Sequence, residues 1–177
     1  MQTLALLTDP RQPIDVRVAA ARALATESSP QAIEALAAAM DVSDEALRDA
    51  ARDSLRKQGG GWLFLGQLGD AAPARRALAA RALRHLREKA ALPALAKALN
   101  DPEEVVRREA AHALAVYGAA EAEVPLCKAL SDPLSDVRYL AAVALRPLKS
   151  INAKRAAQAQ LQREDNAAVR LELGKLG

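Results

Sequence analysis

The chain of 177 residues is 51% hydrophobic but only 2% aromatic, and its formal net charge is +3. So small a net charge does not by itself indicate a nucleic-acid-binding protein. The single cysteine, Cys127, excludes an internal disulfide and a thiolate metal site, and it favours a reducing compartment. No apolar run approaches the roughly 20 residues that span a bilayer, and no basic segment precedes an apolar core at the N-terminus. We therefore expect a cytoplasmic protein, built from alanine-rich helices.

A 31-residue repeat runs through the sequence and is most regular in DPEEVVRREAAHAL, at 101–114. It returns as DPLSDVRYLAAVAL at 132–145 and is recognisable as DAAPARRALAARAL at 70–83. Three slots keep the spacing, and they are occupied by Asp70, Asp101 and Asp132, by Arg76, Arg107 and Arg138, and by Leu83, Leu114 and Leu145. Such a period is typical of one helical hairpin copied along the chain.

The repeat predicts about six helical hairpins within a single domain that covers residues 1–177. Their approximate bounds are 1–27, 28–58, 59–87, 88–118, 119–150 and 151–177, and the first and last copies are degenerate. Degenerate terminal copies are what capping repeats look like.

In the first repeat the pattern predicts helices at Thr3–Leu7 and Asp15–Ala25. In the second repeat Ser28 or Ser29 is expected to cap the first helix, and Ser43 the second, because a serine side chain accepts hydrogen bonds from the free amides of a helix N-terminus.

The third repeat is three residues shorter than the others, and the deletion lies near the glycines Gly59–Gly61, which are expected to end the preceding helix. GWLFLGQLGD at 61–70 nevertheless aligns without gaps to LPALAKALND at 92–101, so we predict a helix there despite its glycines. Pro73 is expected to open the second helix of this repeat, Ala74–Leu86.

Helices of the fourth and sixth repeats are predicted at Lys89–Asn100, Glu103–Tyr117, Asn152–Arg163 and Asn166–Leu176. In the last repeat Arg170 follows Arg138 by 32 residues instead of 31, so the register slips by one position.

The Asp-Pro step and the arginine six residues later suggest a structural role. The proline ends the first helix, and the aspartate accepts hydrogen bonds from the amides at the start of the second. The arginine is expected to fork onto the aspartate of its own repeat and that of a neighbour, which would link the repeats into a ladder.

With V-R-x-x-A-A-x-A-L at this period, the chain resembles HEAT-like repeats over residues 14–177, and most closely the short type named after phycobilisome lyases. The resemblance implies an all-α fold, a right-handed α-α superhelix (a HEAT-like solenoid), in which the second helices line the concave face. It also implies that the ladder residues are structural. It does not imply a function, because such repeats occur in lyases, hydroxylases, DNA-repair enzymes and scaffolds.

Residues for catalysis are scarce. HEAT-like deoxyhypusine hydroxylases hold two irons with His-Glu pairs, but no His-Glu dipeptide occurs here, and the matching place reads Arg108-Glu109. His112 follows Glu109 by one helical turn, which supplies at most half of a metal site. Cys127 has no histidine near it in sequence and is interpreted as a small buried hydrophobe. We therefore predict no catalytic residue, no metal and no cofactor.

One set of variable positions suggests a binding surface. Positions one, five and eight after the ladder arginine share one helix face and are rich in arginine. They include Arg22, Arg56, Arg81, Arg84, Arg108, His112, Tyr139 and Arg146, against the two aspartates Asp49 and Asp53. We predict that this arginine-lined concave face binds an acidic protein or peptide, which makes the chain a non-catalytic scaffold or adaptor.

Three other interpretations of the chain stay open. The arginine face can be merely solvated, as charged helix faces usually are. It can also bind nucleic acid, although Tyr139 is its only aromatic residue for base stacking. A bilin-lyase-like or chaperone activity follows from the family name alone.

The stretch WLFL at 62–65 holds the only tryptophan and the only phenylalanine. Phe64 occupies a core slot of the repeat. Trp62, Leu63 and Leu65 are expected to pack beneath the shortened turn, because aromatic residues at helical spacing usually belong to a core. The alternative is an exposed apolar patch that contacts a partner or a second copy.

Overall fold

The computed structural model of the chain describes residues 2–117 and 120–176. Within them it contains twelve α-helices, four short 3-10 turns and no β-strand. The all-α fold and the hairpin repeat are thus confirmed. By its internal packing the chain divides into two compact units, Met1–Phe64 and Leu65–Gly177, which we call the N-terminal and C-terminal units. The predicted boundary between the fourth and fifth repeats, at 118–119, lies outside the described residues.

The N-terminal unit contains the helices α1 (Gln2–Thr8), α2 (Ile14–Ala23), α3 (Pro30–Ala39) and α4 (Glu45–Lys57). Ser29 caps α3, since its hydroxyl accepts from the amide of Ala32 at 3.2 Å. The cap predicted at Ser43 is wrong: the carboxylate of Asp44 caps α4 instead and accepts from the amide of Leu47 at 2.9 Å. Both residue types serve as caps, and the helix starts one residue later than expected.

The glycine-rich turn explains the short third repeat. Gly59 is left-handed, with φ 72°, and ends α4 as predicted. The helix α5 (Gly60–Gln67) begins immediately afterwards, and a side chain at Gly60 would lie 2.8 Å from the carbonyl oxygen of Leu55. Later repeats place a three-residue 3-10 turn before the corresponding helix, as at Lys89–Ala91. The three missing residues are therefore that turn, and glycine permits the tighter junction.

In the C-terminal unit the first and second helices of the repeats alternate along the chain. The first helices are α7 (Leu92–Ala98), α9 (Glu123–Ala129) and α11 (Ile151–Leu161). The second helices are α6 (Pro73–Leu86), α8 (Glu104–Tyr117), α10 (Ser135–Leu145) and α12 (Ala167–Gly174).

The second helices pack side by side, in the order α6, α8, α10 and α12, and form one layer of the C-terminal unit. The first helices pack against them and form the other layer. Paired alanines such as Ala110-Ala111 and Ala141-Ala142 are fully buried in the second-helix layer. Their small side chains allow the helices to approach closely, and leucines such as Leu114 fill the core between the layers.

The ladder is present in the C-terminal unit, and each arginine joins two repeats. Arg76 forks onto Asp101, with its Nε 2.8 Å and its Nη2 2.9 Å from the two carboxylate oxygens. Arg107 binds Asp132 in the same way, at 2.7 and 3.4 Å. Its Nη1 donates to the backbone carbonyls of Asp101 and Pro102 in its own repeat.

The expected fork onto the aspartate side chain of the arginine's own repeat is therefore wrong. That side chain accepts instead from a backbone amide two residues ahead, as Asp101 does from Glu103 at 3.0 Å and Asp132 from Leu134 at 2.9 Å. This hydrogen bond closes an Asx turn that leads into the second helix.

In the last repeat the acid of the ladder is shifted by the same single position as Arg170. Glu164, not aspartate, takes the acidic slot, and both of its carboxylate oxygens lie 2.7 Å from the guanidinium of Arg138. Its side chain is fully buried, and Arg138 lowers its pKa to about 2. Arg170 stays six residues after this acid and donates to its carbonyl oxygen at 2.8 Å. The ladder thus continues to the last repeat, where the acid and the arginine are both shifted by one residue along the sequence.

Candidate partner-binding face

The layer of second helices in the C-terminal unit has one side turned towards solvent, which we call the second-helix face. The buried alanines and leucines of α8 leave Arg108 and His112 on its other side, and α10 places Tyr139 likewise. Arg108 and Tyr139 are exposed, while His112 is half-buried. Arg108, His112 and Tyr139 therefore lie on the same side of this layer, although position one is buried in α6, at Ala77.

The neighbouring helices supply further cations to this face. Arg81 and Arg84 of α6 are half-buried, and Arg146, directly after α10, is exposed. The prediction stopped at α10, but α12 continues the pattern with Leu171 and Lys175, both exposed at positions one and five after Arg170. The signal for these two residues was in the sequence, since the ladder arginine of the last repeat had been recognised.

Two glutamates on the second-helix face were missed. Glu109 lies 3.9 Å from Arg108, and its side chain is 15% exposed against 46% for the arginine. Glu172 binds Arg146 at 3.2 Å and also Lys175; its side chain is 7% exposed against 49% for Arg146. Both acids stand two residues after a ladder arginine. In each pair the carboxylate is recessed and the cation projects.

Arg22 and Arg56 belong to the N-terminal unit, where each is exposed on its helix, α2 and α4. The charge around Arg56 is mixed, because α4 also carries Asp49, which pairs with Arg52 at 2.6 Å, and the exposed Asp53. That these two arginines share one binding face with those of the C-terminal unit stays a prediction.

The residues of the apolar stretch at 62–65 differ in their exposure to solvent. Phe64 is fully buried, as predicted, but Trp62 is 74% exposed, so packing beneath the turn is wrong for that residue. Leu63 and Leu65 are half-buried. Leu65 helps to line a cavity of about 500 Å³ beside Leu68 and the residues of α7. The use of Trp62, Leu63 and Leu65 as a partner-binding patch stays a prediction.

Cys127 is half-buried beside Val124 in an open cavity of about 350 Å³, so the expected full burial is wrong. Burial, helped by the negative charge of Glu123, raises the pKa of its thiol. Within residues 2–117 and 120–176 no group of three metal-ligating side chains occurs. Among the same residues no helix has the length and apolar character needed to cross a membrane.

Comparison with known proteins places these repeats in a family. The family model for HEAT repeats matches residues 63–146, and that for the phycobilisome-lyase HEAT-like repeat matches residues 16–41. Both stretches of the chain are therefore HEAT-like repeats, as the spacing of Asp, Arg and Leu had indicated. None of the curated proteins matches it.

Solved structures show the same fold at low sequence identity. A designed armadillo repeat protein is 21% identical, covers 99% of this chain and 97% of its own, and gives a TM-score of 0.60. A second designed armadillo repeat protein, in complex with the peptide (KR)4, has the same identity and TM-score and covers 99% and 96%. Human deoxyhypusine hydroxylase is 22% identical, with a TM-score of 0.54, and covers 98% of this chain and 70% of its own.

Proposed function

We propose that the protein is a non-catalytic scaffold whose second-helix face binds an acidic peptide or an acidic segment of a partner protein. The observation that carries this proposal is the arrangement of the ion pairs on that face. The side chains of Arg108 and Arg146 are exposed to solvent, whereas those of Glu109 and Glu172 are recessed beneath them. An approaching carboxylate therefore meets a guanidinium first.

The recessed glutamates also orient the cations that they pair with. Arg146 is held on Glu172 at 3.2 Å through one guanidinium nitrogen, so its remaining donors are available to a ligand carboxylate. A guanidinium fixed in this way loses less conformational freedom on binding than a freely rotating one. The second-helix face thus combines positive charge with side chains that are already ordered.

Charge distribution in the C-terminal unit favours the same kind of ligand. Its residues 65–177 hold 18 Lys and Arg against 13 Asp and Glu. Three of those acids, Asp101, Asp132 and Glu164, are occupied in the ladder and are nearly buried. Each is bound by a ladder arginine that is also largely buried, so the remaining 15 basic and 10 acidic side chains leave the surface net positive, which attracts an acidic partner.

A solved structure with the same fold supports a peptide as the class of ligand. The designed armadillo relative in complex with (KR)4 binds a basic peptide. The second-helix face of this chain is itself rich in arginine, so an acidic peptide is the complementary ligand.

A direct test uses a fluorescent oligoglutamate peptide and measures its anisotropy with the protein at low salt. Changing Arg81, Arg84 and Arg108 together to Glu is expected to weaken binding about tenfold or more, since each exposed charge pair contributes about 0.5–1 kcal/mol. The matched control changes Lys89, Lys97 and Lys128 to Glu, which alters net charge equally but outside the second helices. Circular dichroism checks that helicity is kept, and the corresponding Arg→Gln variant replaces the first if it unfolds.

Two results would contradict the proposal. One is the absence of peptide binding to the unaltered protein. The other is an equal loss of affinity in both triple variants, which would mean that only net charge is sensed. A single-stranded oligonucleotide of matched charge serves as a competing ligand; tighter binding of the oligonucleotide would favour the nucleic-acid alternative.

A further inference from the structure

A small cavity lies in the C-terminal unit where the end of α10, the start of α11 and the end of α12 meet. It has a volume of about 260 Å³, and we call it the basic cavity. Its lining residues are Arg146, Lys149, Ser150, Lys154, Lys175 and Leu176. Four of the six are cationic, and Arg146 and Lys175 also belong to the second-helix face.

Among the described residues, one carboxylate forms ion pairs with these cations, and a second, that of Glu123, lies beside the cavity. Glu172 pairs with both Arg146 and Lys175 from its recessed position. Lys149 and Lys154 are exposed, and in the part of the chain that the structure describes neither forms an ion pair. The hydroxyl of Ser150 donates to Glu123 and caps α11. The basic cavity therefore carries an excess of positive charge around a recess.

The backbone at Lys149 belongs to the repeat. Lys149 is left-handed, with φ 50° and ψ 29°, a conformation that strains any residue with a Cβ. The corresponding slot holds Gly59 after α4, with φ 72°, and Arg87 after α6, with φ 53°. Lys149 differs from these two residues in that its cationic side chain lines the basic cavity.

We propose that the basic cavity binds a phosphate monoester, carried by a phosphorylated serine or threonine of the acidic partner. A phosphate group presents about two negative charges and three acceptor oxygens, which the ammonium groups and the guanidinium can share. A carboxylate has one charge and only two oxygens, so it would leave cations of the cavity uncompensated. The assignment of the phosphate to a residue of the acidic partner rests on the proposed function, whereas the phosphate site itself does not.

Calorimetric titration tests the site with inorganic phosphate first, and then with a phosphoserine peptide and its serine counterpart. Lys149→Gly is expected to weaken binding of inorganic phosphate about tenfold, because it removes one cation from the recess. The matched control is Arg87→Gly: Arg87 is also left-handed, with φ 53°, but it does not line the basic cavity. Both variants relieve the same backbone strain and are expected to raise Tm, while only Lys149→Gly should lose phosphate.

Lys154→Gln removes a second cation without changing the turn and is expected to weaken phosphate binding several-fold. An affinity for inorganic phosphate that is equal in the unaltered protein, Lys149→Gly and Arg87→Gly would overturn the site. Phosphate binding with no preference for the phosphoserine peptide over the serine peptide would overturn the carrier. If oligoglutamate binds the second-helix face and phosphate does not bind, only this inference fails; the reverse result contradicts the proposed function alone.

Discussion

The two units use the same arginine slot in different ways. In the C-terminal unit, Arg107 holds two backbone carbonyls of its own repeat and the carboxylate of Asp132 in the next. In the N-terminal unit, Arg48 donates to the backbone carbonyls of Val42 and Ser43, at 2.9 and 2.6 Å. Arg17 reaches the carbonyl of Leu7 at 3.0 Å. Holding the backbone is thus common to both units, and in the C-terminal unit the arginines also fork onto an acid of the next repeat.

The net charge of the two units also differs. Residues 1–64 hold 7 Lys and Arg against 9 Asp and Glu, whereas residues 65–177 hold 18 against 13. In the C-terminal unit most of the ladder acids are buried with the arginines that bind them, so the ion pairs that connect the repeats leave the net charge of the surface unchanged. The excess of basic side chains in this unit therefore lies outside the ladder, where the proposed acidic ligand would meet it.

The strongest test of this difference removes the last acid of the ladder. Glu164→Ala leaves the guanidinium of Arg138 largely buried without its carboxylate, and breaking such a pair costs about 3–5 kcal/mol. Because each repeat is stabilised mainly by its neighbours, the loss is expected to be local. Hydrogen exchange should then show lost protection in α11 and α12, while α2 and α4 keep theirs. Uniform loss of protection in all four helices would contradict a local ladder.

Acidification is expected to lower the stability of the C-terminal unit through its ladder carboxylates. The pKa of Glu164, held at about 2 by Arg138, lies below the ordinary value of 4.5. The stabilisation from its carboxylate is complete above pH 4.5 and is lost as the pH falls towards 2. Arg76 lowers the pKa of Asp101 in the same direction. We expect urea unfolding of the C-terminal unit to shift to lower denaturant between pH 4.5 and 2.

Glu164→Gln is the control for that titration. It lacks the titrating group, so it should start less stable at pH 7 and lose less stability on acidification than the unaltered chain. Parallel curves for the two proteins would show that Glu164 does not contribute to acid sensitivity.

Much of the fold could be predicted from sequence, because the repeat reports its own register. The helix starting at Gly60 was found by alignment to its neighbour, although three glycines argue against a helix. The acid of the last repeat was not found, since a pattern written with aspartate hides Glu164 at a shifted position. Helix caps were uncertain for a similar reason: Ser43 and Asp44 are adjacent, and both side chains can accept the same amides.

The candidate site was predictable only in part. Register alone places Arg108 and His112 on one side of α8, because the buried positions are fixed by the repeat. It does not say that Glu109 and Glu172 are recessed, since their exposure depends on how neighbouring helices pack. The basic cavity was not foreseen, because nothing in a lysine indicates a left-handed backbone. A glycine in the same slot of another repeat, Gly59, was the available signal.

The smallest expected effect concerns a helix cap in the N-terminal unit. Asp44→Ala removes the side-chain cap of α4 in the N-terminal unit and is expected to lower the free energy of unfolding by about 1 kcal/mol. Ser43 lies one residue earlier but does not cap, so Ser43→Ala is the matched control and should change stability by only a few tenths of that amount. Urea titrations of both variants measure the difference. Equal losses would mean that the serine shares the cap. A loss at Asp44 as large as that at Glu164 would mean that a local cap stabilises the N-terminal unit as strongly as the ladder stabilises the C-terminal one.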